Sequence, residues 1–379
     1  MATTLHPRPA APVTDAGATR DGTRRYARRF APRFTNDFFR VLAPSDEVPP
    51  LAIGSIGVGT YLGPCTDAED ARYEAALLAA LGSGCNIVDT AINYRCQRSE
   101  RAVGRALASA IAAGIVQRDE VVVCTKGGFI ALDGAPPATR EAYDAYLERE
   151  LFGRGVPRSD DLVRVGHSLS PAFLAHQIAR SRENLGIETI DVYYLHEPER
   201  QLDTLAPDAF GAVLRHAIEA LEAAVERKEI GRWGIASWRG LRVAPGVKGH
   251  LALGDVIDAA RDVAGDRHHL GVVQVPINLA MPEAVRTPTQ PIPSRGGEMR
   301  TVSALQAAHA YGLAVVASSP LMEGQLATGL PAVVREQFRG CQTDAQCAVS
   351  FVRGLPGVST TLVGTRTAAH LNENLRIAR

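Results

Sequence analysis

From residue 51 to its C-terminus, the sequence alternates short apolar runs with longer amphipathic stretches. The runs are rich in β-branched residues and nearly continuously apolar, as is typical of parallel strands that are covered on both faces. Eight strand–helix units in series close more naturally into a ring than into an open sheet, so we predict an α/β fold, a (β/α)8 TIM barrel over 46–379. The predicted strands are 51–59, 86–90, 120–126, 189–196, 232–237, 271–276, 313–319 and 360–364.

Two predicted connections are too long to be simple turns: 127–169 after the third strand and 277–300 after the sixth. Both leave the carboxyl ends of strands, the face on which barrels carry their active sites. Long loops there are usually lids or substrate walls, and the alternative is a decorative or oligomer-forming insertion. The first loop leads into Ser170 and Pro171, which predict the N-cap and first turn of a helix that Gly186 ends.

The N-terminal segment 1–45 has a different composition, rich in Ala, Pro and Arg, with eight arginines against three acidic residues. We expect a basic, largely disordered and flexible extension. The alternative is that the stretch RRYARRFAPRFTNDFF packs outside the barrel.

Composition narrows the classes of partner. Lys+Arg and Asp+Glu balance at 41 each, which argues against a nucleic-acid-binding surface. No segment reaches the roughly 18 apolar residues of a membrane span, so we expect no membrane partner. The six cysteines form no CxxC pair and no metal-like spacing with histidine, which favours a reducing cytoplasm and no metal site. The oligomeric state stays open.

Four titratable side chains end three neighbouring predicted strands. Asp89 ends the second strand with Tyr94 just beyond it, Lys126 ends the third, and His196 ends the fourth. Singly, each has a structural explanation: a turn aspartate, a loop tyrosine, a retained surface lysine, a histidine before a proline turn. Together they predict one polar site at the barrel mouth, and the scarcity of lysine, three among 41 basic residues, strengthens this interpretation.

This set of side chains suits the reduction of a carbonyl group. A hydride delivered to carbon builds negative charge on oxygen, which must be protonated or hydrogen-bonded as it forms. A tyrosine serves as that acid if its pKa falls from about 10 toward working pH, which an adjacent ammonium favours and an aspartate supports. A neutral histidine can position the oxygen. No side chain supplies a hydride, so a cofactor is required.

From about residue 51 onward, the chain resembles the aldo-keto reductase superfamily. The matching stretches are IGVGTYLG, NIVDTAINYR with SERAVGRAL, TKGG, SRENLGIETIDVYYLHEP and AVSFVRGLPGVSTTLVGTRTAAHLNENL. Such reductases use an Asp/Tyr/Lys/His tetrad, and Asp89, Tyr94, Lys126 and His196 occupy those places. The resemblance implies an oxidoreductase acting on a small carbonyl or alcohol substrate, with the dinucleotide lying extended across the strand ends.

The same resemblance implies a cofactor site. Its residues are Gly59, Thr60, Tyr61, Ser237 and Gln274 around the nicotinamide, Ser319, Pro320 and Leu321 along the pyrophosphate, and Gly364, Thr365, Arg366 and Asn374 around the adenosine. A helix N-terminus beside an arginine can clamp a 2′-phosphate, so we expect NADP (NADPH) rather than NAD. An ordinary surface role for Arg366 is the alternative.

The chain departs from the family pattern in three places. Ala236-Ser237 stands where Ser-Asn is common, Glu197 follows the histidine in place of a frequent tryptophan, and the 127–169 insertion is longer than usual. A serine hydroxyl makes fewer hydrogen bonds to the carboxamide than an amide does. These departures leave the carbonyl substrate and the physiological direction open.

Two other hypotheses keep the barrel. One is a regulatory or scaffold barrel that binds the cofactor with little turnover. The other makes Lys126 a Schiff-base nucleophile, as in some barrel aldolases.

Overall fold

The computed structural model describes residues 17–42, 49–163, 166–294 and 296–379, and its centre is a closed barrel. The strands are β1 (Phe39–Leu42), β2 (Leu51–Gly54), β3 (Ile56–Gly59), β4 (Ile87–Asp89), β5 (Val122–Gly127), β6 (Val192–His196), β7 (Trp233–Ala236), β8 (Leu270–Pro276), β9 (Gln290–Pro293), β10 (Met299–Val302), β11 (Ala314–Ser318) and β12 (Val358–Gly364). The barrel comprises β3 to β8, β11 and β12, all parallel, in chain order around the ring. The predicted eight-stranded barrel is confirmed.

Helices separate the barrel strands. They are α1 (Arg20–Phe30), α2 (Asp67–Leu81), α3 (Arg98–Ala112), α4 (Arg140–Glu150), α5 (Pro171–Leu185), α6 (Pro207–Glu226), α7 (Leu253–Ala264), α8 (Glu283–Arg286), α9 (Ala304–Ala310), α10 (Ala332–Arg335), α11 (Asp344–Arg353) and α12 (Ala368–Leu375). The helix predicted from Pro171 to Gly186 is confirmed, because Gly186 adopts φ 64° directly after α5. In the part of the chain described above, no helix has both the length and the apolar content that a membrane crossing requires.

The first predicted strand, 51–59, is wrong as a single element. The chain breaks at Ser55, so that β2 pairs antiparallel with β1 while β3 enters the barrel between β4 and β12. Both halves are mostly buried. Nearly continuous burial therefore runs through the break, which is why the sequence pattern gives no sign of it.

The expected disorder of 1–45 does not hold for the residues that the structure describes there. Helix α1 packs beside the amino-terminal ends of the strands, where Tyr26 is fully buried and its hydroxyl donates to the Leu81 carbonyl at 2.6 Å. The alternative, that the stretch RRYARRFAPRFTNDFF (24–39) packs outside the barrel, describes those residues correctly. Residues 1–16 and 43–45 of that prediction lie outside the described residues.

The two long connections follow β5 and β8. The first contains α4, whose Leu147 packs with Leu151 and with Phe173 of α5. The second contains α8 and the antiparallel pair β9–β10. Both begin at the carboxyl ends of barrel strands, and this is also the end where the apolar interior of the barrel gives way to polar side chains.

Candidate active site

The four predicted site residues converge at the carboxyl end of the barrel. Asp89, Lys126 and His196 stand at or next to the ends of the adjacent strands β4, β5 and β6. Tyr94 lies in the turn after β4, with its ring centre 4.8 Å from the Lys126 Nζ and 5.9 Å from the centre of the His196 ring. The structure therefore brings the four predicted side chains together in one cluster.

Lys126 is buried and held by oxygen atoms. Its Nζ donates to Asp89 Oδ1 at 2.5 Å and to the Thr90 carbonyl at 2.8 Å. The other carboxylate oxygen of Asp89 accepts from Gln274 Nε2 at 2.7 Å. Burial alone lowers the pKa of Lys126, but the neighbouring Asp89 and Tyr94 more than compensate and the net pKa is raised. Lys126 is therefore a fixed ammonium ion.

Tyr94 differs from the sequence-based expectation in one respect. Burial raises the pKa of its phenol above the ordinary value, and the Lys126 ammonium offsets only part of this rise. The expected net fall in pKa is therefore wrong for the protein alone, because the apolar surroundings of the ring oppose ionisation more strongly than one ammonium favours it. Tyr94 is a protonated phenol at neutral pH.

A strained turn places Tyr94. The three residues that follow it, Arg95, Cys96 and Gln97, have φ values of 49°, 54° and 67°. Such left-handed conformations are costly for residues other than glycine and persist where surrounding contacts fix them. The buried guanidinium of Arg95 supplies those contacts, donating to the Pro64 carbonyl at 2.9 and 3.0 Å and to Asp70 Oδ1 at 2.5 Å.

His196 is buried and neutral. Burial, together with the nearby Lys126 charge, lowers the pKa of its imidazole well below the ordinary value. Its Nδ1 is buried and has no hydrogen-bond partner among the residues that the structure describes. The ring of Phe129, at the start of the long insertion, packs edge-on against it with 5.0 Å between ring centres.

Sequence reasoning missed a second histidine behind the first. His167 Nε2 lies 2.8 Å from the His196 carbonyl oxygen, and Gln201 Nε2 lies 2.8 Å from His167 Nδ1. Since the Gln201 amide donates to Nδ1, the His167 proton is on Nε2 and is donated to His196. Burial lowers the pKa of His167 to about 4. In the sequence, only the position of His167 near the end of the 127–169 insertion could have indicated its contact with His196.

The residues predicted beside the nicotinamide surround the same mouth. Thr60 donates to the Asp89 carbonyl through both its amide and its hydroxyl, each at 3.1 Å. The Tyr61 ring is more than half exposed and packs edge-on against Tyr94, with 5.0 Å between centres. Gly59 pairs in register with Asp89 on one side and Gly364 on the other.

Ser237 is at the mouth, but its hydroxyl is already engaged. It donates to Glu199 Oε1 at 2.8 Å and accepts from the Leu241 amide at 3.2 Å. The same Glu199 oxygen accepts from the amides of Arg239 and Gly240, both at 2.9 Å. The hydroxyl proton is thus committed to a buried carboxylate, and the predicted contact of Ser237 with a carboxamide stays a prediction.

The remaining predicted cofactor residues form a second group at the ends of the neighbouring strands β11 and β12. They are Ser319, Pro320 and Leu321 after β11, and Gly364, Thr365, Arg366 and Asn374 at and after β12. Ser319 has φ 56° and its carbonyl accepts from Asn278 Nδ2 at 3.0 Å. Arg366 is not a free surface cation, because it donates to Glu69 Oε1 at 3.0 Å.

Comparison with known proteins gives a consistent set of similarities. A sequence model of the Aldo/keto reductase family matches residues 50–249, a range that includes all four clustered side chains. The chain is 32% identical to a D-threo-aldose 1-dehydrogenase of Pseudomonas sp over 47% of this chain and 49% of that protein. It is 27% identical to an NADH-specific methylglyoxal reductase of Escherichia coli (strain K12), over 38% and 39%. The chain thus spans about half the length, or less, of these curated relatives.

Solved structures resemble the fold over most of the chain. The holo form of aldo-keto reductase AKR11C1 from Bacillus halodurans aligns with a TM-score of 0.57 and 19% identity, over 89% of this chain and 90% of that one. An aldo/keto reductase from Klebsiella pneumoniae, in complex with NADP and acetate, aligns with a TM-score of 0.54 and 22% identity, over 86% of each chain. At these identities the likeness concerns the fold.

Proposed function

The chain belongs to the aldo/keto reductase family, and we propose that it is an NADP(H)-dependent oxidoreductase that transfers a hydride between the cofactor and a carbonyl or alcohol substrate. The observation that carries this proposal is the cluster itself. A protonated Tyr94 lies with its ring centre 4.8 Å from the Lys126 ammonium, which is ion-paired with Asp89, beside a neutral His196. Solved relatives that contain NADP or NADPH support the choice of cofactor.

The donor set fits a nicotinamide dinucleotide. The side-chain amide nitrogen of Gln274 donates to Asp89. The side-chain oxygen of Gln274 is therefore the atom that can accept from a carboxamide N–H. Arg366 provides a positive charge for phosphate groups. The N-terminus of α12, which Thr367 caps, adds the partial positive charge of its free N–H groups. When bound, the nicotinamide supplies or accepts the hydride, which no residue of the chain can do.

Tyr94 is the proposed general acid in the direction of reduction. As negative charge grows on the carbonyl oxygen, the Tyr94 hydroxyl donates its proton to that oxygen. The Lys126 ammonium then stabilises the phenolate that remains, and Asp89 keeps this ammonium charged and oriented. In the reverse direction the same phenolate accepts the alcohol proton.

His196 is proposed to position the carbonyl oxygen. A buried N–H without a partner is rarer than a buried acceptor without one, so the unpartnered Nδ1 favours a proton on Nε2. An N–H on Nε2 can then donate to the substrate oxygen. The His167 and Phe129 contacts hold the backbone and the ring of His196 in place.

The two alternative functions make different demands. A Schiff-base mechanism needs a free amine, whereas the net pKa of Lys126 is raised by Asp89 and Tyr94 against the effect of burial. A scaffold barrel needs no acid at the mouth, and the intact tetrad argues against it. Borohydride trapping of a carbonyl compound on Lys126 would favour the first alternative, and nucleotide binding without turnover would favour the second.

The test is NADPH oxidation followed by absorbance with a panel of aldehydes and ketones. Methylglyoxal and aldoses belong in the panel, because one relative is named a methylglyoxal reductase and another an aldose 1-dehydrogenase. The reverse reaction is followed with NADP and the same aldoses. Turnover of any panel member supports the proposal, and tight NADPH binding with no turnover in either direction contradicts it.

A further inference from the structure

Glu69 is a buried carboxylate at the adenosine end of the proposed cofactor site. It stands in the first turn of α2, after the N-cap residue Thr66, whose side chain accepts from the Glu69 amide. Its side chain is only 2% exposed. Neither the proposed chemistry nor the family resemblance uses this residue.

The carboxylate has little freedom to move. Gly63 adopts φ +109° and lies so close that a Cβ on it would be 2.6 Å from Glu69 Oε1. Any side chain at this position would therefore clash with the carboxylate. The other oxygen, Oε2, accepts from Arg72 at 3.3 Å.

The fixed carboxylate holds the arginine expected to bind a phosphate. Arg366 Nη1 donates to Glu69 Oε1 at 3.0 Å, across the gap between α2 and the start of α12. The Arg366 side chain is 43% exposed, so part of its guanidinium still faces solvent. Arg366 immediately precedes Thr367, the N-cap of α12.

We propose that Glu69 sets the cofactor preference of this site by restraining Arg366. The inference rests on the proposed function, since it concerns the same dinucleotide. A 2′-phosphate that approaches Arg366 also approaches the Glu69 carboxylate, and the two negative charges repel each other. A 2′-hydroxyl carries no charge and can donate to a carboxylate, which is how acidic residues favour NAD in other dinucleotide sites. Glu69 therefore reduces the difference in affinity by which the site prefers NADPH over NADH.

The test uses two probes that isolate the adenosine end. Adenosine 2′,5′-bisphosphate carries the extra phosphate, and adenosine 5′-monophosphate carries the free hydroxyl. Dissociation constants are measured by calorimetry for the wild type and Glu69→Gln. The amide removes one negative charge and keeps the shape. We expect the bisphosphate to bind about fivefold more tightly to the variant, the size of one partly exposed charge interaction, and the monophosphate to bind no more tightly.

Two further variants separate this effect from general ones. Glu74→Gln removes the same charge from the same helix, where Glu74 is paired with Arg105 at 2.7 Å, and it should leave the ratio of the two affinities unchanged. Glu69→Gln combined with Arg366→Gln should lose most of the gain, because the guanidinium that brings the 2′-phosphate close to position 69 is absent. The ratio of kcat/KM for NADPH and NADH should follow the probe affinities.

Several outcomes overturn the inference. Equal weakening of both probes by Glu69→Gln would make Glu69 a purely structural residue. An unchanged ratio, or the same gain in Glu74→Gln, would remove its link with Arg366. If the wild type bound neither probe, nor NADPH, the proposed function would fail together with this inference, whereas normal NADPH turnover with an unmoved ratio would overturn the role of Glu69 alone.

Discussion

Lys126 and Asp89, from neighbouring strands β5 and β4, form a buried ion pair with 2.5 Å between Nζ and Oδ1. The pair lies beneath Tyr94 and His196 at the mouth of the barrel. Each charge compensates for the removal of the other from water, so the loss of one partner would leave the other buried and uncompensated.

Lys126→Met is therefore expected to reduce both stability and turnover. The substitution leaves the Asp89 carboxylate buried without its counter-ion, which costs about 3–5 kcal/mol in the free energy of unfolding. It also removes the charge that is proposed to stabilise the Tyr94 phenolate. Guanidinium chloride unfolding measures the first effect and NADPH oxidation the second. The matched control, Lys126→Met with Asp89→Leu, should recover stability without recovering turnover. Wild-type stability of the single variant would contradict the account.

Stability is expected to fall in mild acid because of His167. Its pKa is about 4 in the folded protein against 6.5 for the ordinary imidazole, so the unfolded chain binds more protons between these values. The contribution of His167 to the free energy of unfolding is therefore fully present above pH 6.5 and is lost as the pH falls toward 4. The loss amounts to ~3 kcal/mol, at about 1.36 kcal/mol per pKa unit. His196, whose pKa is also lowered by burial, acts in the same direction.

His167→Gln checks the assignment, since the amide can still donate to the His196 carbonyl. The decrease between pH 6.5 and 4 should become shallower in this variant. His216→Gln, on the exposed side of α6, should leave the decrease unchanged. An identical pH dependence in all three proteins would exclude His167 as the cause.

The rate of reduction is expected to vary little across neutral pH. Burial raises the pKa of Tyr94 above 10.0, so the proton donor is lost only when the pH rises beyond that value. Burial also lowers the pKa of His196 well below 6.5, so its imidazole stays neutral above that pH. The profile of kcat/KM, which reports the ionisation of the free enzyme, should be flat between these limits. An inflection near pH 7 would show that another group controls the step.

Ser237→Ala distinguishes two roles for the serine. Its hydroxyl donates to Glu199, so the alanine variant leaves a buried carboxylate with one partner fewer, at a cost of about 1–3 kcal/mol in the free energy of unfolding. The dissociation constant of NADPH should stay close to that of the wild type, since the hydroxyl proton is not available to a carboxamide. A large rise in that constant with unchanged stability would show instead that Ser237 binds the cofactor directly.

The sequence predicted the barrel, and the meeting of Asp89, Lys126 and His196, for physical reasons that the structure preserves. Parallel strands place their carboxyl ends on one face, so Asp89, Lys126 and His196 had to meet if the strands were adjacent. The order of the strands in the chain was enough to predict this cluster, and no knowledge of side-chain packing was needed.

What the sequence could not predict depends on contacts between distant segments. The break at Ser55 depends on pairing with β1, and the order of α1 depends on a pocket that receives Tyr26. The His167–His196 contact joins an insertion to a strand end. The Arg366–Glu69 hydrogen bond joins residues 297 positions apart, and no local pattern indicates it.

The central claim is that the Tyr94 phenol donates the proton when a carbonyl is reduced. Tyr94→Phe removes that hydroxyl and keeps the ring that packs against Tyr61 and His196. NADPH oxidation with the best carbonyl substrate of the wild type is compared with NADPH binding by the same variant. We predict a loss of turnover of at least about 10²-fold, the usual contribution of a positioned acid, with binding close to that of the wild type. Wild-type turnover by the phenylalanine variant would contradict the claim.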